Sequence, residues 1–270
     1  MVDQEKIRSV LFESLRGSGQ ILKKTIFERR IIAEKGELNL VTESDKRSEE
    51  LIVQTILSHF PDHAILTEES PARGQSPYRW IIDPLDGTTN FAHTYPVACV
   101  SIAFEDHGVT TLGGVYDPFR NELFFAERGA GATLNEEPLV VSRNPTLAHS
   151  LLSTGFPYDR RKSADEYLAI FKAFMLRVQG VRRTGAAALD LAYVASGRFD
   201  GFWELKLRTW DVAAAVLLVE EAGGQSSDFA GKPLNLSSPK TDWVPQMVAS
   251  NGFIHSEMIE VLKPFMAMGR

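Results

Sequence analysis

Residues 80–91 read Trp80-Ile81-Ile82-Asp83-Pro84-Leu85-Asp86-Gly87-Thr88-Thr89-Asn90-Phe91 and gather two carboxylates, a glycine and two hydroxyls behind an apolar stretch. Asp83 closes a predicted strand. Pro84 lacks the N–H that a ladder needs and is expected to stop the strand there. Asp86 follows three residues on, and Gly87, Thr88 and Thr89 open a helix start. Carboxylate and carbonyl oxygens of this kind suit a hard divalent cation, and free N–H groups at a helix start suit a phosphate. Asp-Pro and Asp-Gly are also ordinary turn dipeptides, so either pair alone reads as a turn followed by a cap. The combination is less ordinary: a carboxylate just after an apolar strand, a second beside glycine, then consecutive hydroxyls.

Further carboxylates stand at Thr42-Glu43-Ser44-Asp45, at Thr67-Glu68-Glu69-Ser70, in Phe202-Trp203-Glu204-Leu205 and in Trp210-Asp211. Each has a plain structural role available. Asp45 can close a capping box with Thr42. Glu68, Glu69 and Glu204 can be solvated strand ends, and Asp211 suits a helix N-terminus through the helix dipole. Brought to one place, these carboxylates would repel each other unless cations neutralised them.

The elements that must position these residues follow from periodicity. Apolar residues from Ile7 to Ile26 predict a helix over 2–33, weakened by Gly17 and Gly19, then a loop or hairpin turning at Gly36. A second helix is expected over 44–59, then strands at 64–67 and 79–82. Alternation predicts strands at 97–104, 110–116 and 122–126, with 129–132 as a turn. Beyond residue 145, strands at 151–154, 181–183, 199–205 and 247–249 alternate with helices at 164–178, 186–196 and 210–222 and one from His255. The expected fold is a mixed α/β (α+β) arrangement of layered helices and sheets. A soft boundary divides it into residues 1–145, carrying most of the candidate site, and 146–270, completing it.

Composition narrows the function. The chain has 270 residues, 44% hydrophobic, with a formal charge of -6, so it has no general attraction for nucleic acid or anionic lipid. Its single cysteine, Cys99, lies in an apolar run and reads as a core thiol. The six histidines show no zinc-ligand spacing, and no Gly-x-x-x-x-Gly-Lys phosphate loop is present. Apolar runs fall short of the ~20 residues of a membrane span, and no signal peptide is visible. A soluble cytoplasmic protein is expected.

The stretch from Asp83 to Phe91 resembles the first signature of the inositol monophosphatase family. Trp210-Asp211-Val212-Ala213-Ala214-Ala215, running on to Glu221-Ala222-Gly223-Gly224, resembles the second, and the segments around Asp45 and Glu68 resemble two more, in the family's order. The resemblance implies the layered αβαβα sandwich of sugar phosphatases and a magnesium-dependent, lithium-sensitive phosphatase, commonly a homodimer. It assigns one magnesium to Glu68, Asp83 and the Leu85 carbonyl and a second to Asp83, Asp86 and Asp211. A third, weaker ion would sit near Glu68. It further implies that Glu68 and the Asp45–Thr88 pair orient and deprotonate a metal-activated water for in-line attack. Asp86, Gly87, Thr88, Gly185, Ala187, Glu204 and Asp211 would contact the substrate. Arg183 would face substrate or pair across a subunit interface. Thr209 departs from the proline that many bacterial relatives place before the Trp-Asp pair.

The expected reaction is hydrolysis of a small sugar or inositol phosphate, with inositol 1-phosphate the default. Fructose 1,6-bisphosphate is the first rival. An aspartyl phosphoenzyme at Asp83 ranks lower, because that carboxylate would already bridge two ions. The rival of another class is a non-catalytic scaffold binding a protein or RNA partner.

Overall fold

The computed structural model describes residues 3–28, 32–34, 40–237 and 243–268. Helix α1 (Gln4–Thr25) leads to the short strands β1 (Ile32–Glu34) and β2 (Leu40–Thr42), which pair antiparallel. Then follow α2 (Glu43–His59), β3 (Ala64–Thr67), β4 (Tyr78–Asp86), α3 (Thr88–Ala92), β5 (Cys99–Asp106), β6 (Val109–Asp117), β7 (Glu122–Glu127), β8 (Gly131–Leu134) and β9 (Glu137–Pro138). The rest comprises β10 (Leu151–Thr154), α4 (Ala164–Met175), β11 (Gly180–Arg182), α5 (Ala187–Ala195), β12 (Gly201–Arg208), α6 (Thr209–Glu221), β13 (Gln225–Ser227), β14 (Trp243–Ser250) and α7 (His255–Leu262).

Strands β3 to β9 form a seven-stranded sheet in sequence order, and β11-β10-β12-β14-β13 form a five-stranded one. Helices α1 and α2 cover the outer face of the larger sheet, where Ile7, Leu11, Leu15 and Ile52 meet Trp80, Ile82, Ile102 and Phe104. Helices α5 and α6 lie between the sheets, and α4 and α7 cover the far face of the smaller one. The layers therefore run αβαβα, as expected. Strand β4 is buried on both faces: Trp80 and Ile82 enter one core and Ile81 the other. Helix α6 is buried over Val212–Val219, so it is apolar all round, as a helix packed between two sheets must be.

Three expectations change. Helix α1 stops at Thr25 rather than near residue 33, and residues 32 and 33 belong to β1. The Thr25 hydroxyl donates back to the Ile21 carbonyl (2.8 Å) and also meets the Ser44 hydroxyl (2.8 Å), which ties the helix end to α2. The predicted turn at Gly36 lies outside the described residues. Gly131 and Ala132 begin strand β8 rather than completing a turn. The third change is at Pro84. The β4–β5 ladder does not end there but shifts register between Asp83 and Asp86, then resumes at Asp86 opposite Cys99. Proline is tolerated in such a bulge because the bulged residues make no ladder bond.

Helix α6 sits directly on β6 at Gly113, where a methyl group would come 2.6 Å from the Ala214 carbonyl oxygen. On the opposite face, a methyl group at Gly114 would come 2.5 Å from the Leu15 side chain of α1. Adjacent glycines thus let helices close on both sides of one strand. We predict that Gly113→Ala destabilises the protein by about 1–3 kcal/mol, the usual cost of overpacking, in urea unfolding. A change within error would show that α6 shifts freely.

Candidate functional site

The bulge in β4 decides where the first two carboxylates point. In a regular strand, residues three apart face opposite sides. The extra residue between Asp83 and Asp86 turns Asp86 back to the side of Asp83. Both line a cavity of about 830 Å³, together with Glu68, Leu85, Gly87, Thr88, Gly185, Ala187, Glu204 and Asp211. Of the residues to which the resemblance assigns a catalytic, metal or substrate role, only Asp45 is off the cavity wall; it reaches the wall through Thr88.

Asp83, Asp86, Asp211 and Asp45 are each tethered by a backbone N–H. Asp83, only 2% exposed, accepts from the Leu85 N–H (3.0 Å). Asp86 accepts from the Ala188 N–H (2.7 Å) in the first turn of α5, so this helix start serves a carboxylate. Asp211 accepts from the Arg208 N–H (2.6 Å) and caps its own helix, α6. Asp45 accepts from the Thr42 N–H (2.8 Å) and hydroxyl (2.5 Å), so the capping box exists. Its other oxygen lies 3.0 Å from the Thr88 hydroxyl, which is also 3.0 Å from the Leu85 carbonyl. One hydroxyl hydrogen therefore serves one of two acceptors. Gly87, with φ of 95°, places Thr88 at the start of α3 in a conformation that glycine favours.

The electrostatics are those of an unneutralised acidic cluster. Burial pushes the Asp83 carboxyl well up, and the charges of Glu68, Asp86 and Asp211 push it further. Burial also raises Asp211, opposed by the Arg208 N–H and reinforced by Glu68, Asp86 and Glu204. Asp86 rises to about 6 through burial, moderated by N–H groups at the start of α5. Among the described residues, none of these three takes part in an ion pair. No three Asp, Glu, His or Cys side chains among the described residues close around a single point. A hard cation here would complete its shell from the Leu85 carbonyl, water and substrate oxygens, as magnesium commonly does. The all-oxygen donor set and its uncompensated charge fit such an ion.

Other wall residues, apart from Arg183, were not assigned a role from sequence. Tyr158 is 52% exposed and lines the cavity, where burial and the charges of Glu68, Asp211, Asp83 and Asp86 push its hydroxyl up. Asp190, buried, accepts from the Thr184 hydroxyl beside Glu204. Arg160, Arg183, Lys206 and Arg208 add a cationic side to the cavity. Arg183 therefore faces the cavity. Asn90 donates to the carbonyls of Thr184 and Val97 (both 2.8 Å) and fixes the turn carrying Gly185. Cys99 is a buried thiol raised chiefly by burial, which leaves it no nucleophile's role. His255 is held between Ser227 and Ser250 and lowered to about 4 by burial.

The fold is a layered sandwich whose large cavity is lined by carboxylate and carbonyl oxygens on one side and cationic side chains on another. The sequence profile of the Inositol monophosphatase family matches residues 3–263, and the chain belongs to that family. It is 49% identical over 234 residues to an inositol-1-monophosphatase of Synechocystis sp., covering 86% of this chain and 79% of that one. It is 44% identical over 231 residues to the Nus factor SuhB of Pseudomonas aeruginosa, covering 83% and 85%. The structure of an inositol monophosphatase from Anabaena (Nostoc) superposes with a TM-score of 0.86 at 42% identity, over 97% of both chains.

Glu204 gives a pH test. Burial first, then Asp190 and Asp86, raise its carboxyl from 4.5 to about 8, against the lowering effect of Arg183. Across that interval the folded protein keeps a proton that the unfolded chain has released, so stability falls as pH rises. Glu204→Gln removes this slope. The variant should melt higher than wild type at about pH 9 and lose that advantage at about pH 5, in thermal melts without added metal. A pH-independent difference would contradict the assignment.

Proposed function

We propose that this protein is a magnesium-dependent hydrolase of small phosphate monoesters, with inositol 1-phosphate as the first substrate to test. One observation carries the reading: Glu68, Asp83, Asp86, Asp211 and Leu85 open on one cavity, and Asp83, Asp86 and Asp211 lack a cationic partner among the described residues. Asp83 and Leu85 with Glu68 would hold one ion, and Asp83, Asp86 and Asp211 a second. When bound, the ions supply positive charge to the phosphoryl oxygens and lower the pKa of water.

The chain's own residues do the remaining work. Thr88, with its hydrogen directed to Asp45, turns lone pairs toward the cavity and can accept from the attacking water. Asp45, held by Thr42, is the acceptor behind it. Glu68 on the same wall accepts the water's other hydrogen. Gly185 and Ala187, at the turn into α5, present backbone groups to the substrate's hydroxyls, and Glu204 accepts from one of them. The cationic side residues Arg183 and Lys206 keep fructose 1,6-bisphosphate in the comparison as the rival substrate.

A second reading follows from relatives that carry the name Nus factor SuhB: a regulatory role without hydrolysis. The complete carboxylate set weighs against it as the sole role. The test is phosphate release from inositol, sugar and nucleotide phosphates with and without magnesium. We expect magnesium-dependent turnover that Asp83→Asn or Asp211→Asn reduces by more than about 100-fold, a loss of transition-state stabilisation near 2.7 kcal/mol. In metal-free protein, Asp83→Asn should melt higher than wild type, because one buried acid pressed by three others is gone. In labelled water, one turnover should place solvent oxygen in the phosphate. Near-normal turnover of either variant, or a trapped aspartyl phosphate, would contradict this reading.

A further inference from the structure

Helix α2 carries a carboxylate that neither the cavity nor the proposed chemistry uses. Glu49 is 5% exposed. It lies one turn beyond Asp45, on the same helix face, and it does not line the large cavity. Its Oε2 accepts from the Thr67 hydroxyl (2.6 Å) and from the Glu69 N–H (2.9 Å), and its Oε1 meets the Ser70 hydroxyl. All three bonds go to the segment that bears Glu68: one before it, two after it.

That segment needs a clamp. Strand β3 lies at the edge of its sheet, paired along its length with β4 and on its outer side through the single Ile65–Arg73 bridge, and it ends at Thr67. Glu68 thus sits just beyond the ladder, facing Asp83 and Asp211, whose charges repel it. The Ile65–Arg73 bridge closes the far end of this loop, and the three bonds to Glu49 hold the residues next to Glu68 itself. A carboxylate at 49 can accept from all three donors at once, which no neutral side chain of that size can do.

We propose that Glu49 is a positioning residue that fixes the Glu68 carboxyl on the cavity wall by gripping the chain on both sides of it. The inference rests on the reading of Glu68 as a cation ligand. Groups that orient metal ligands typically cost 10–100-fold in metal affinity when removed, so about that loss is the expected scale.

The test titrates the full-length protein with manganese alone and follows free ion by electron paramagnetic resonance, without substrate or turnover. Glu49→Ala should weaken binding by about 10–100-fold, as should Glu68→Gln, and the double variant should bind no more weakly than Glu68→Gln. Glu49→Gln keeps an acceptor for Thr67 and Glu69 and should fall between wild type and Glu49→Ala. The exposed neighbour variant Glu50→Ala should bind as wild type does. Should Glu49→Ala fail to fold, Glu49→Gln and Ser70→Ala carry the test, each with a smaller loss. If Glu68→Gln weakens binding while the Glu49 and Ser70 variants do not, the clamp is wrong and the site stands. If Glu68→Gln binds manganese normally, the reading of Glu68 fails and the clamp with it.

Discussion

Like charges crowded into a half-buried space are the constraint on which this structure turns. Asp83, Asp86 and Asp211 face one cavity with Glu68, and each raises or is raised by its neighbours. Left to themselves, such groups would separate or take up protons. The fold prevents separation by covalent and helical means. Asp83 and Asp86 share one bulged strand, Asp86 takes up N–H groups at the start of α5, and Asp211 is tied to the start of its own helix. The cluster is locally unfavourable and persists because the packing around it allows no other arrangement.

Helix α2 and helix α6 do most of that work, from opposite sides of the larger sheet. Along one face of α2, Asp45 reaches Thr88, Ser48 donates to the Pro84 carbonyl (2.8 Å), and Glu49 grips residues 67–70. Two separate segments of the site, 67–70 and 84–88, are thus fastened to one helix. Helix α6 brings Asp211 from the later part of the chain and seats closely on the larger sheet at Gly113. Fold stability and site geometry are the same packing problem, viewed from two ends.

Much of this was legible in the sequence for physical reasons. Val212 to Val219 is apolar on every side, so α6 had to be an inner helix. Asp83-Pro84-Leu85-Asp86-Gly87 could hardly be read as uniform strand or helix, so its oxygens stood out. The same stretch also misled. Proline argues for the end of a strand, and only the pairing with β5 reveals a bulge that resumes at Asp86. Without the bulge, Asp83 and Asp86 would point apart. The polar face of α2 was silent for another reason. Ser48 and Glu49 belong to Ser44-Asp45-Lys46-Arg47-Ser48-Glu49-Glu50, which reads as a solvated surface, because their hydrogen-bond partners lie 18 to 36 residues away. Tyr158 and Asp190 likewise reach the cavity through tertiary packing that local pattern does not carry.

The most direct test is a crystal structure of the protein grown with manganese in place of magnesium, with the ions located by anomalous scattering. The account predicts ions whose ligands include oxygens of Asp83, Asp86 and Asp211, at about 2.0–2.6 Å, the span of hard-cation ligands. A well-ordered cavity with no ion on these carboxylates, and manganese bound only elsewhere, would contradict it.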